Sequence, residues 1–237
     1  MDPAKNDAPA GVILSVTAHP DDEVLGFGAT AAKLCSLGYV VHNCILSGEV
    51  DVRRHRPDLE ELRQDVDRAQ EIMGCRPAIL GSFPNIAFNT VPHIELVRFI
   101  ESAIESISPD HIFTHHPHDL NNDHHHVSMA CQAASRLYQR KPVKRIKGLH
   151  FMEIPSSTDW SYPTGANLFQ PNTYFEIGEE FLAVKLQALE AYRGVMRPFP
   201  HSRSHEVMRG LAACRGAEAG MAYAEAFQSV FQVLNPA

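Results

Sequence analysis

Short apolar runs of strand length alternate with amphipathic helical stretches along most of this chain, and that alternation leaves few folds open. Strand-like runs fall near 11–18, 39–46, 78–80, 111–114, 146–154 and 174–177. Helical patterns fall between and after them, at 23–37, 58–73, 92–107, 124–138, 179–193, 204–215 and 219–233. The pattern at 58–73 opens on Asp58 with Glu61 three residues later and closes on Gly74, a start and stop pair. The pattern at 92–107 carries Ile94, Val97, Ile100, Ala103, Ile104 and Ile107 on one face. Strands that alternate with such helices build a parallel sheet covered on both faces. The expectation is a Rossmann-like, three-layer α/β fold with a mostly parallel central sheet, strand order 3-2-1-4-5, and additional C-terminal helices. Residues 1–10 read as a flexible polar leader and residues 11–237 as a single domain.

The first strand-to-helix turn is chemically unusual. It reads Ala18-His19-Pro20-Asp21-Asp22-Glu23, one histidine and three acids where a strand hands over to a helix. Acids at a helix N-terminus are favoured by the dipole, which accounts for Asp22 and Glu23. It accounts neither for His19 nor for three adjacent like charges. His19 and Asp22, three apart, lie where one turn aims both at a point, and Asp21 between them must face elsewhere. Two metal ligands and one further carboxylate are what a catalytic metal site with its own base needs.

In the expected strand order, strands one and four are neighbours where the order reverses, the usual place for a site in such sheets. The segment after strand four runs His115-His116-Pro117-His118-Asp119-Leu120-Asn121-Asn122-Asp123-His124-His125-His126 and holds six of the fourteen histidines. A third ligand from this loop would complete a set with one open position, suited to zinc and a water.

Composition narrows the function classes. A net charge of −7 argues against binding to a phosphate backbone, so no nucleic-acid partner is expected. Five scattered cysteines without a CxxC pair suggest free thiols in a reducing, cytoplasmic setting. Neither a signal peptide nor a membrane-spanning run is visible. Homo-oligomerisation is left open.

The first turn, together with Asp119-Leu120-Asn121-Asn122-Asp123-His124, resembles the LmbE/PIG-L family of zinc-dependent N-deacetylases. The likeness runs nearly full length. Residues 17–28 match the family's first motif. Residues 63–74 resemble its Arg-acid-helix-Leu-Gly segment, with Met73 in place of Leu. Arg215-Gly216 followed by Tyr223-Ala224-Glu225-Ala226-Phe227 resembles a C-terminal signature of one branch. The resemblance implies that His19, Asp22 and His124 ligate one zinc ion per chain. Asp21 would be the general base, and Asp123 would orient a ligand or catalytic histidine. The first histidine of the family's His-Pro-Asp-His is Asn121 here, which leaves the general acid unassigned; His201 and His205 are the C-terminal candidates.

The implied reaction is hydrolysis of an N-acetyl group from a small N-acetylglucosamine-type sugar. Arg53, Arg63, Asn121 and Glu23 are the candidate substrate contacts, with loops 47–57, 82–91 and 156–170 lining the pocket. Two other readings compete. One is a nucleotide-binding module, since Gly26-Phe27-Gly28-Ala29-Thr30-Ala31 formally fits a dinucleotide pattern. The charged turn, however, occupies the place where a pyrophosphate would sit. The other is a phosphoesterase, whose two-metal site usually needs more ligands than can be assigned here.

Overall fold

The computed structural model describes residues 9–48, 58–162 and 168–234. Among the described residues, β1 (Val12–Thr17), β2 (Val40–Ile45), β3 (Ile79–Leu80), β4 (His111–His115), β5 (Gly148–Met152), β6 (Thr173–Glu176) and β7 (Ala224–Gln232) form one sheet. Its order is β3-β2-β1-β4-β5-β7-β6. The first five strands are parallel and carry the expected 3-2-1-4-5 order. The expected leader falls largely on residues 1–8, which lie outside the described residues.

The helices are α1 (Asp22–Ser36), α2 (Leu59–Met73), α3 (His93–Ile107), α4 (Asn122–Ala134), α5 (Gly178–Ala191) and α6 (His205–Glu218). Residues of α1, α2, α5 and α6 build the core on one face of the sheet, around Phe27, Phe113 and Phe227. Residues of α3 and α4 build the core on the other, around Leu96, Ile100 and Ile112. The start of α2 is a complete capping box: Asp58 accepts from the Glu61 amide, and the Glu61 side chain accepts from the Asp58 amide. Gly74 ends the helix in the left-handed region at φ 74°.

Gly26 lies inside α1, against the sheet. A Cβ there would stand 2.5 Å from Ile154 Cδ1, so this glycine lets helix and sheet approach closely.

One element departs from expectation. Residues 219–233 read as a helix, because Tyr223, Phe227, Val230 and Phe231 mimic a helical stripe. The chain instead turns at Gly220 (φ 74°) and runs as β7 between β5 and β6, antiparallel to both. Backbone pairing on two sides overrides a local helical preference. Phe227 then drops edge-on against Phe113, with centroids 4.9 Å apart.

The strand also explains the C-terminal signature. Buried Glu225 accepts from the backbone amides of Ala29 and Thr30 within α1 (3.3 and 2.8 Å) and pairs with Lys185 Nζ at 2.6 Å. Lys185 in turn donates to the Leu25 carbonyl at 2.6 Å. Helix α5 and strand β7 thus grip, from behind, the helix that begins at the charged turn. A Cβ at Gly216 would sit 2.6 Å from the Met221 carbonyl oxygen, so the chain closes tightly after α6 only with glycine there.

Candidate active site

The turn after β1 and the loop after β4 meet at the carboxyl ends of these neighbouring strands. Donor atoms of His19, Asp22 and His124 all lie within 4.8 Å of one another, and all three residues are buried. Asp22 Oδ2 is the hub. It stands 3.2 Å from His19 Nδ1 and 3.1 Å from His124 Nε2. The outer nitrogens are held by two further carboxylates. His19 Nε2 donates to Asp123 Oδ2 at 3.0 Å, and His124 Nδ1 donates to Asp119 Oδ2 at 3.0 Å.

This arrangement has an electrostatic consequence. With its Nδ1–H committed to Asp119, His124 turns Nε2 toward another carboxylate, and that buried nitrogen makes no hydrogen bond. A bare lone pair facing a carboxylate is repulsive, so the position calls for a cation, either a proton or a metal ion. Metal–donor bonds of about 2.0–2.2 Å in a tetrahedron place donors roughly 3.3–3.6 Å apart, close to the two spacings around Asp22. The donor set therefore fits a zinc-like ion.

The pKa directions agree. Burial opposes charge on His124, but Asp22 and Asp119 outweigh it and raise the group to about 10. Burial likewise opposes charge on His19, and Asp123 and Asp22 raise it. Burial pushes Asp22 up, but His124, His19 and His115 hold it well below the usual carboxylate range.

Asp123 is fixed at helix α4's first turn. Its carboxylate accepts from the amides of Ile86 and Phe88 (2.6 and 3.0 Å), which draws loop 82–91 onto the cluster. Phe88 also packs on His19, centroid to centroid 6.2 Å. Asn121 caps α4, its side chain accepting from the Asp123 amide at 2.9 Å. It braces the loop.

Asp21 lies in the same turn, outside the converging donor trio. It is the N-cap of α1 with φ 104°, a strained backbone for a residue with a side chain. Arg203 Nη1 donates to its Oδ2 at 2.9 Å. His201 lies in the same segment, its Nδ1 accepting from the Arg203 amide at 3.0 Å, with Trp160 beside its ring.

Other expected contacts lie elsewhere. Glu23 is buried behind the turn, accepting from Tyr192 Oη and from Gln70 Nε2, and burial pushes its carboxyl up to about 8. Arg63 is exposed on α2 and borders a surface groove with Gly48, Ser82 and Phe83. Arg53 lies outside the described residues, as does most of loop 47–57. His205 sits on the surface at the start of α6, paired with Glu190 at 3.0 Å, and is no part of the site.

Three residues of the site escaped sequence reasoning. Asp119 and His115 lie in the histidine-rich stretch but carry no signal that separates them from their neighbours. His115 stacks on His124 with centroids 3.7 Å apart and accepts from the Ala18 amide at 2.8 Å. Arg203 is 182 residues from its partner Asp21.

A Rossmann-like α/β fold with a buried His-Asp-His cluster at the strand carboxyl ends defines a protein whose residues could hold a metal ion there. The chain belongs to the PIG-L family, described as GlcNAc-PI de-N-acetylase; the family model matches residues 14–135, just over half the chain. An uncharacterized deacetylase of Escherichia coli, YaiS, is 29% identical over 197 residues, covering 76% of this chain and 90% of the relative. Among solved structures, the N,N'-diacetylchitobiose deacetylase of Pyrococcus horikoshii superposes with a TM-score of 0.73 at 18% identity, covering 93% of this chain and 84% of that one. GalB, the 4-carboxy-2-hydroxymuconate hydratase of Pseudomonas putida, superposes at 0.76 with 20% identity, covering 96% and 99%. These two structures share the fold while bearing names for different reactions, so the fold alone does not decide the chemistry. Among the described residues no helix is long and apolar enough to cross a membrane.

Proposed function

We propose that this chain is a zinc-dependent amidohydrolase that removes the acetyl group from a small N-acetylated amino sugar. The observation that carries the reading is the convergence of His19, Asp22 and His124, with a separate carboxylate, Asp21, in the same turn. His19, Asp22 and His124 would hold the ion. When bound, zinc supplies a Lewis acid that acidifies water and polarises an acetyl carbonyl.

The chain's own residues do the rest. Asp119 and Asp123 orient the two ligand histidines and make them better donors. Asp21, outside the donor trio, takes the proton of the attacking water. His201 passes a proton to the departing nitrogen. Burial and the neighbouring Arg203 disfavour its charged form, so the proton it gives is the one Asp21 took from the water, and Asp21 ends the cycle ionised again. Five free cysteines agree with work in a reducing, cytoplasmic setting.

The test is direct. Zinc-loaded protein is incubated with a panel of N-acetylated amino sugars, free and glycosidic, and acetate and free amine are quantified. Equimolar release of both, abolished by a chelator and restored by zinc, is expected. Release of acetate from none of the panel would overturn the reading.

A further inference from the structure

The geometry points to Arg203 as the residue that positions the Asp21 carboxylate; the inference rests on the proposed role of Asp21 as base. Asp21's backbone is well fixed. Its amide donates to Glu23 Oε2 at 3.1 Å, and its carbonyl accepts from Val24 and Leu25 in the first turn of α1. Those bonds do not set the rotation of the carboxylate, and a general base works only when an oxygen faces the proton it takes.

Arg203 supplies that constraint through a planar guanidinium anchored at two atoms and a backbone held at two more. Nη1 holds Asp21 Oδ2 at 2.9 Å, and Nε holds Ser156 Oγ at 2.8 Å. Its amide donates to His201 Nδ1, and its carbonyl accepts from the Arg197 amide at 3.1 Å. One side chain thus ties together the turn after β1, the loop after β5 and the segment before α6. Two of its partners, Asp21 and Ser156, have positive φ, at 104° and 75°. Backbone strain of that kind persists only where surrounding structure holds it. The guanidinium is largely buried, 15% exposed, unlike a solvated surface arginine. Lysine, a point charge without the fork, could reach Asp21 or Ser156 but would not fix both at these angles.

The test compares wild type, R203M, R203K, D21N and the double variant D21N/R203M, all full-length and zinc-loaded. R203M is expected to keep its zinc and to lose kcat by about 10²-fold, the scale of a misplaced catalytic group, with KM changed far less. R203K should recover part of that loss. In the D21N background, R203M should cost little more, because a positioning residue has nothing left to position. Should R203M fold poorly, S156A breaks the second anchor while leaving Arg203 in place, and a smaller kcat loss with intact zinc is expected. Multiplicative losses in the double variant, or loss of zinc in R203M, would overturn the assignment.

If wild type hydrolyses none of the panel, the functional reading fails by itself. The Asp21–Arg203 link is then read from urea denaturation of the same proteins. Coupling between the two substitutions supports it, and simple additivity overturns it.

Discussion

The His19–His124 pair beyond the carboxyl end of β4 and the His111–His150 pair toward its start are in opposite electrostatic states. At the carboxyl end, His124 and His19 sit among Asp22, Asp119 and Asp123, and their pKa values are raised. Toward the other end, His111 Nδ1 meets His150 Nε2 at 3.1 Å, and His150 Nδ1 meets Ser229 Oγ at 2.8 Å. Burial lowers both, His150 to about 4. His150 lies flat against Phe113 and continues an aromatic column through Phe27. One end is therefore built to hold a cation and the other to exclude one. The difference lies in the carboxylates that the fold delivers to each end.

The largest effects should come from breaking the cation-holding end. His19→Ala or His124→Ala should abolish stoichiometric zinc binding, measured by metal analysis after dialysis; full occupancy in both would break the comparison. Asp21→Asn, in the same turn but outside the donor trio, should retain zinc and lose kcat by about 10²–10⁴-fold.

The cation-excluding end should show itself through pH. His150 has a folded pKa below its unfolded value, so the unfolded chain binds more protons in the window between. The stability it contributes is complete above about pH 6.5 and is lost as pH falls toward about 4, a change on the order of 3 kcal/mol. His150→Phe should flatten urea-denaturation stability across that window, whereas an unchanged slope would show that the acid sensitivity lies elsewhere.

A smaller effect is expected from Asp119→Asn, which keeps the hydrogen-bonding shape but removes the charge behind His124. Zinc affinity should weaken about 10–100-fold, read by competition with a chromogenic chelator. The smallest sharpens the contrast with a third kind of histidine. His205, exposed and paired with Glu190, should be replaceable by Ala with stability unchanged within about 0.5 kcal/mol and zinc content intact.

Much of this was legible before any coordinates. Asp58, Glu61 and Gly74 announced α2 because capping is local chemistry. His19 and Asp22 announced a shared target because three-residue spacing in one turn is geometric. Residues 219–233 misled because their apolar spacing fits a helix as well as a strand, and only the open edge of β5 chose. The partners of Glu23, Tyr192 and Gln70, were not legible, because adjacency to Asp22 says nothing about which way a side chain leaves a turn.

Local sequence was enough for the alternating β and α elements, the charged turn after β1, and the strand order that sets this turn beside the histidine-rich loop. These follow from periodicity, capping and the handedness of βαβ connections, all of which act over short stretches. Packing had to decide that Asp119 stands behind His124, that the histidine Asp123 serves is His19, that Glu225 grips α1 from β7, and that Arg203 reaches Asp21. Each of these depends on where a side chain points after packing. Pairs as far apart as Asp21 and Arg203 leave no trace in any local window of one sequence.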